Sequence, residues 1–143
     1  MLTILEIHEA QIEAYLLAKP ELLPEFIRPK SNDVLCRQVP ISPFKPENMD
    51  RADICIFKQD RIMEGLIPNV IIELKKGKAN RDVIFQVTRY LKWLKILLEN
   101  TPEEFKKIKI YVLAPSFNKN IKNYIEEKFE EQIILMNYFG EKY

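Results

Sequence analysis

With 143 residues, 47% of them hydrophobic, the chain is long enough to bury the core of one domain and too short for two ordinary ones, which sets the expected domain at 1–143. Lys and Arg number 22 against 21 Asp and Glu, so a net charge of +1 excludes attraction to polyanions by global charge, and any such contact must come from local clusters. No apolar run approaches the ~20 residues of a membrane span, and no basic segment leads into an apolar one at the start; the expectation is a cytoplasmic, intracellular protein with no membrane association.

In chain order, Thr3-Ile4-Leu5-Glu6 has capping-box spacing, and the apolar pattern from Ile4 to Lys19 predicts an opening helix that Pro20 ends. Glu6, Glu9 and Glu13 lie on that helix. Six of the nine prolines fall between Pro20 and Pro46, so this part reads as a turn within Glu21 to Ile27 and one strand, Val34 to Ile41, framed by irregular connections. Arg28, Lys30 and Arg37 form a sparse basic group suited to phosphate contact. Pro43 to Met49 is a loop leading into the strand ADICIF, in which Ala52, Ile54 and Ile56 take one face and Asp53, Cys55 and Phe57 the other. Cys36 and Cys55 are the two cysteines, expected as buried free thiols, and two thiolates cannot hold an iron–sulfur cluster that needs four.

After a connection from Lys58 to Asn69 comes the stretch NVIIELKKGKANRDVIFQVTRYLKW. Its strand puts Val70, Ile72 and Leu74 on one face and Glu73 and Lys75 on the other. Asn80 is placed to cap the helix from Arg81 to Glu99, whose stripe Ile84, Val87, Leu91, Leu94 and Leu98 is a core face, while Gln86 and Tyr90 share a second stripe. Arg89 and Lys92 flank Tyr90 and are candidate phosphate contacts. Thr101 to Glu104 starts a short helical turn, Ile108 to Ala114 is a strand, Asn118 to Phe129 a helix with Ile121, Tyr124, Ile125 and Phe129 inward, and Gln132 to Phe139 a last strand. The order α-β-β-β-α-β-α-β predicts an α/β fold whose mixed sheet begins antiparallel and becomes parallel through helical crossovers. His8, the single histidine, sits on a polar helix face and receives no catalytic role.

An Asp on one strand, Glu73-Leu74-Lys75 on the next and Gln86-X-X-X-Tyr90 on the following helix resembles the active-site signature of the PD-(D/E)XK nucleases. Within them it is most similar to the RecB-like branch, and especially to the catalytic domain of archaeal and actinobacterial endonucleases that act on mismatched, flapped or single-stranded DNA. Asp50 and Asp60 are the other acids in reach, but Asp53 alone sits inside an alternating apolar strand. The connection from Lys58 to Asn69 departs from the family pattern, in which this turn is usually shorter.

The resemblance implies a restriction-endonuclease-like core and a DNA endonuclease dependent on Mg²⁺ or Mn²⁺, serving repair, recombination, restriction or the processing of mobile or viral DNA. Asp53, Glu73 and the backbone carbonyl of Leu74 would hold the metal, as suits a hard cation that takes few carboxylates and keeps its waters. Lys75 would orient the attacking water and favour its deprotonated form. Gln86 and Tyr90 would hold Lys75 and the phosphate in register, and Glu13, with Glu6 and Glu9 as competitors, would point into the site from the opening helix. DNA is the implied partner. Larger relatives carry a separate binding or dimerisation domain, so a homodimer or a partner chain is expected to supply that surface. The alternatives are a nuclease-fold module that binds DNA or protein without cutting, and a dimeric Holliday-junction resolvase.

Overall fold

A computed structural model describes residues 9–43, 50–58 and 67–143. Glu6, His8 and Asp60, and most of the two loops flanking the Asp53 strand, lie outside those residues. Helix α1 runs Glu9–Ala18, inside the expected span, and Pro20 opens the first of two 3₁₀ turns, Pro20–Leu22 and Glu25–Ile27. Strands β1 (Asp33–Ser42), β2 (Asp50–Lys58) and β3 (Val70–Leu74) follow. Helix α2 (Arg81–Leu97) comes next, with the Asn80 side chain accepting from the Asp82 N–H at 2.9 Å as its N-cap. The short helix α3 (Pro102–Lys106), β4 (Lys109–Leu113), two 3₁₀ turns and β5 (Ile133–Met136) complete the chain.

The five strands lie in sequence order. The pairs β1–β2 and β2–β3 are antiparallel, and β3–β4 and β4–β5 parallel, which is the change of direction that the connections require. Alternation along the strands divides the apolar residues into two layers. Ile54, Ile56, Ile72, Leu74, Leu113 and Met136 pack against Leu16 of α1 and Leu23 and Ile27 of the 3₁₀ turns. On the other face Cys55, Phe57, Ile71, Ile110 and Val112 meet the α2 stripe of Ile84, Val87, Leu91, Leu94 and Leu98, every member of which is buried. Strand β3 is covered on both sides, so a polar side chain on it must find partners inside the protein.

Two local expectations are corrected. The helix expected from Asn118 to Phe129 is instead a pair of 3₁₀ turns, Ile121–Tyr124 and Glu127–Phe129. Asn120 takes a left-handed conformation, φ 69°, which stops a helix before it begins, and the core is met by Ile121 and Phe129 while Tyr124 stays exposed. Cys55 is buried as a free thiol, but Cys36, across from it in the β1–β2 ladder, is only half-buried because β1 is an edge strand.

Candidate active site

The β2–β3 ladder pairs Ile54 with Ile72, and one step further its register sets Asp53 across from Glu73. Backbone pairing stops there and the carboxylates take it over. The Leu74 N–H donates to Asp53 Oδ2 at 2.8 Å, and the Asp53 N–H donates to Glu73 Oε1 at 3.3 Å. Two acids facing each other on adjacent strands repel. Each is instead fixed by a backbone donor on the opposite strand, so the pair is held together against that repulsion.

The row extends into β1. Its ladder pairs Arg37 with Ile54 and Val39 with Ala52, so Gln38 lies across from Asp53. The Gln38 Nε2 donates to Asp53 Oδ1 at 3.3 Å and to both carboxylate oxygens of Glu13, at 2.9 and 3.0 Å. Glu13 therefore joins the cluster from α1, on the far layer of the sheet, and is buried at 2% exposure. Arg37 Nε reaches the same carboxylate at 3.3 Å from a half-exposed side chain. Of the three acids on the opening helix, Glu13 is thus the one that meets the strand acids; Glu6 and the side chain of Glu9 lie outside the described residues.

The electrostatics follow from this crowding. Burial, then the charge of Asp53, push the Glu73 carboxyl well above the ordinary carboxylate range. Glu13 is also raised, by burial first, with the Gln38 amide opposing the shift. Helix α2 supplies neutral partners. The Tyr90 ring is fully buried, its hydroxyl lies within hydrogen-bonding reach of Glu73 and donates to the Arg51 carbonyl at 3.0 Å, and Gln86 Nε2 donates to that hydroxyl at 2.8 Å. Gln86 and Tyr90 share one stripe and bond to each other; their chain of contacts leads to Glu73 and β2.

An open cleft of about 320 Å³ is lined by Asp50, Lys75, Lys78, Asn80, Asp82, Gln86 and Arg89 among others. Lys75 stands at its wall. The Lys75 backbone is fixed at both ends, its N–H donating to the Leu113 carbonyl at 2.9 Å and its carbonyl accepting from the Tyr138 hydroxyl at 2.7 Å. Arg89 makes a two-pronged ion pair with buried Asp50, at 2.7 and 3.0 Å. This pair ties the start of β2 to α2. Arg28 is turned to the Leu23 carbonyl at 2.7 Å, and the exposed Lys30 bonds through its backbone N–H to Asp33. Of the other basic candidates, Arg89 lines the cleft and Arg37 is engaged by Glu13. Lys92 pairs with Glu126 at 3.3 Å. Sequence reading missed Gln38, for which there was no signal, and the Asp50–Arg89 pair, whose only signal was an acid and a base 39 residues apart with nothing to join them.

A divalent cation fits the strand pair on chemical grounds. Asp53 and Glu73 are adjacent oxygen donors, each oriented by a backbone N–H of the opposite strand. Among the described residues no group of three or more His, Cys, Asp or Glu is spaced to hold a metal ion. Among the described residues no helix is long and apolar enough to cross a membrane.

No family model matches the chain, and no curated protein matches it. Solved structures do. EndoMS in a complex with dsDNA superimposes with a TM-score of 0.55 at 18% identity, over 96% of this chain and 45% of that one. A repair endonuclease from Pyrococcus abyssi gives 0.55 at 20% identity, over 92% of this chain and 47% of that one. The chain spans less than half the length of either structure. At this identity the likeness is one of fold alone.

Proposed function

We propose that the chain is a metal-dependent DNA endonuclease domain of the PD-(D/E)XK type, RecB-like branch, that hydrolyses phosphodiester bonds with Mg²⁺ or Mn²⁺. The observation that carries this reading is the row Gln38–Asp53–Glu73 with Glu13 beside it: buried Glu13 and Glu73 and the half-buried Asp53 held together by donors on the strands, with Lys75, two residues on from Glu73, lining a cleft. Burying like charges together costs several kcal/mol in a protein and is retained where a function needs it. The fold shared with EndoMS, solved with dsDNA, and with a repair endonuclease supports the same conclusion.

A bound divalent cation would supply Lewis-acid relief of the charge that builds on the phosphate. The chain's own residues do the rest. Asp53, Glu73 and the Leu74 carbonyl would hold it, and the backbone N–H groups of Leu74 and Asp53 hold the two carboxylates in place. Lys75, with its ammonium at the cleft, orients the attacking water and favours its deprotonated form. Tyr90 orients Glu73, Gln86 orients Tyr90, and Glu13 acts beside the pair rather than within it. With a net charge of +1 the domain has little general attraction for DNA, which supports a reading in which a second copy or a partner chain adds contact surface. A DNA substrate implies an intracellular setting.

The test is incubation of purified protein with labelled single-stranded, mismatched, flapped and four-way-junction DNAs in Mg²⁺, Mn²⁺ or EDTA, with Asp53→Ala alongside. The expected result is cleavage that needs metal and disappears in Asp53→Ala. A wild type that cuts no DNA with either metal, or an Asp53→Ala protein that cuts as well, overturns the proposal.

A further inference from the structure

The residue that joins the helix acid to the strand acids is an unusual one. Gln38 has φ 53° in the middle of β1, the left-handed region that an L side chain enters at a cost of about 1–2 kcal/mol. Gly, Asn or Asp would be the ordinary choice there. A strained conformation of this kind persists only when its surroundings demand it, and here the demand is visible: the side-chain amide donates both to Glu13, at 2.9 and 3.0 Å, and to Asp53, at 3.3 Å. Its carbonyl is turned toward Arg51, whose Nη1 lies at 3.4 Å.

We propose that Gln38 is a positioning residue, a neutral bridge that keeps Glu13 and Asp53 at a set separation while leaving their negative charge available to a divalent cation. The proposal rests on the reading of Asp53 and Glu73 as a metal-binding pair. A neutral donor can do here what a charged one cannot. An arginine or lysine at this position would hold the same two carboxylates, and more strongly, but would also cancel the charge that attracts a cation. An amide supplies two N–H donors and no net charge, so it stops the acids from splaying apart and leaves the field of the cluster intact. Arg37, the cation that does reach Glu13, does so at 3.3 Å from a side chain 45% exposed, where water screens it. The bridge also explains why Glu13 does not join Asp53 and Glu73 as a third carboxylate of one ion-binding group: the amide stands between them.

Two variants of the full chain separate this role from a purely structural tie between α1 and β1. Gln38→Ala removes the bridge, and Gln38→Lys keeps a donor there but adds charge. Mn²⁺ affinity is measured by titration calorimetry and stability by thermal melting in EDTA. Gln38→Ala is expected to bind Mn²⁺ about 10 to 100-fold more weakly, the loss typical when a group that orients metal ligands is removed. Gln38→Lys is expected to melt at or above the wild type, since an ammonium satisfies both carboxylates, yet to bind Mn²⁺ no better than Gln38→Ala. A Gln38→Lys protein that recovers both melting temperature and Mn²⁺ affinity shows a structural tie only and overturns the proposal, as does a Gln38→Ala protein with wild-type affinity. If Gln38→Ala does not fold, Gln38→Lys alone decides. A wild type that binds neither Mn²⁺ nor Mg²⁺ removes the metal site itself, and is told apart from failure of the bridge because no variant is needed to see it.

Discussion

Arg89 offers the sharpest distinction between a residue that touches DNA and one that holds the protein together. Its guanidinium makes two bonds to Asp50, whose side chain is 2% exposed, so Arg89→Ala strands a buried carboxylate with no other ion-pair partner among the described residues. Breaking a fully buried pair from one side costs ~3–5 kcal/mol. Arg89 itself is 34% exposed, and water admitted at that side lowers the figure to about 2–3 kcal/mol. With an unfolding entropy near 2.1 cal/mol/K per residue, a chain of 143 residues loses roughly 3 °C per kcal/mol, so the expected fall in melting temperature is about 7–10 °C. Scanning calorimetry measures it. The double variant Asp50→Asn/Arg89→Ala should melt above Arg89→Ala alone, because the stranded charge is gone. A phosphate contact predicts the opposite pattern: unchanged melting and a salt slope of DNA binding reduced by about one unit. If Arg89→Ala melts within about 2 °C of the wild type, or if adding Asp50→Asn makes it worse, the reasoning from burial is wrong.

Lys75→Ala is expected to abolish cleavage while Mn²⁺ still binds, and a variant that cuts at the wild-type rate removes Lys75 from the chemistry; gel assay and calorimetry give the two readings. Gln86→Ala should keep the fold and slow cleavage about 10 to 100-fold, and Tyr90→Phe should do the same while also costing about 1–3 kcal/mol, since the Arg51 carbonyl and Gln86 amide lose a buried partner. For Glu73 the predicted effect is on pH dependence. Its folded-state value lies well above the ordinary 4.5, so between those two points the unfolded chain has released the proton and the folded protein has not. Stability in EDTA therefore falls as pH rises through that window, and Glu73→Gln should flatten the slope, as urea titrations from pH 4 upward would show. A slope unchanged by the substitution would mean that Glu73 ionises normally in the fold.

What could be read from the sequence was whatever local periodicity carries. Period-two alternation set Asp53 and Glu73 on the face opposite Ile54, Ile56, Ile72 and Leu74, and the 3.6-residue stripe of α2 marked its buried side. Asn80 announced its own role as a cap. Features that depend on backbone departures or on distant partners left no such trace. The left-handed turn at Gln38 carries no glycine or asparagine to flag it. The Asp50–Arg89 pair joins residues 39 apart, and Asp50, buried at the head of β2, was indistinguishable from a loop acid. In the segment after Pro115 the spacing of Ile121, Tyr124, Ile125 and Phe129 mimics a helix, but the left-handed Asn120 and the short 3₁₀ turns override it.

Because the strands follow one another across the sheet in sequence order, every strand can be added to the edge of what has already formed, with no later strand inserted between earlier ones. The antiparallel connections are shorter than the helical crossovers, so their closure entropy is smaller, which favours early docking of the β1–β2–β3 meander. The acid row crosses that same meander, and its members repel until donors surround them. Interactions that are unfavourable while the chain is open contribute nothing to a folding nucleus; they are formed after the apolar layers have closed. Changes at Glu13, Asp53 or Glu73 should consequently appear in the unfolding rate and leave the folding rate nearly unchanged, whereas truncating Ile54 or Ile72 should slow folding itself.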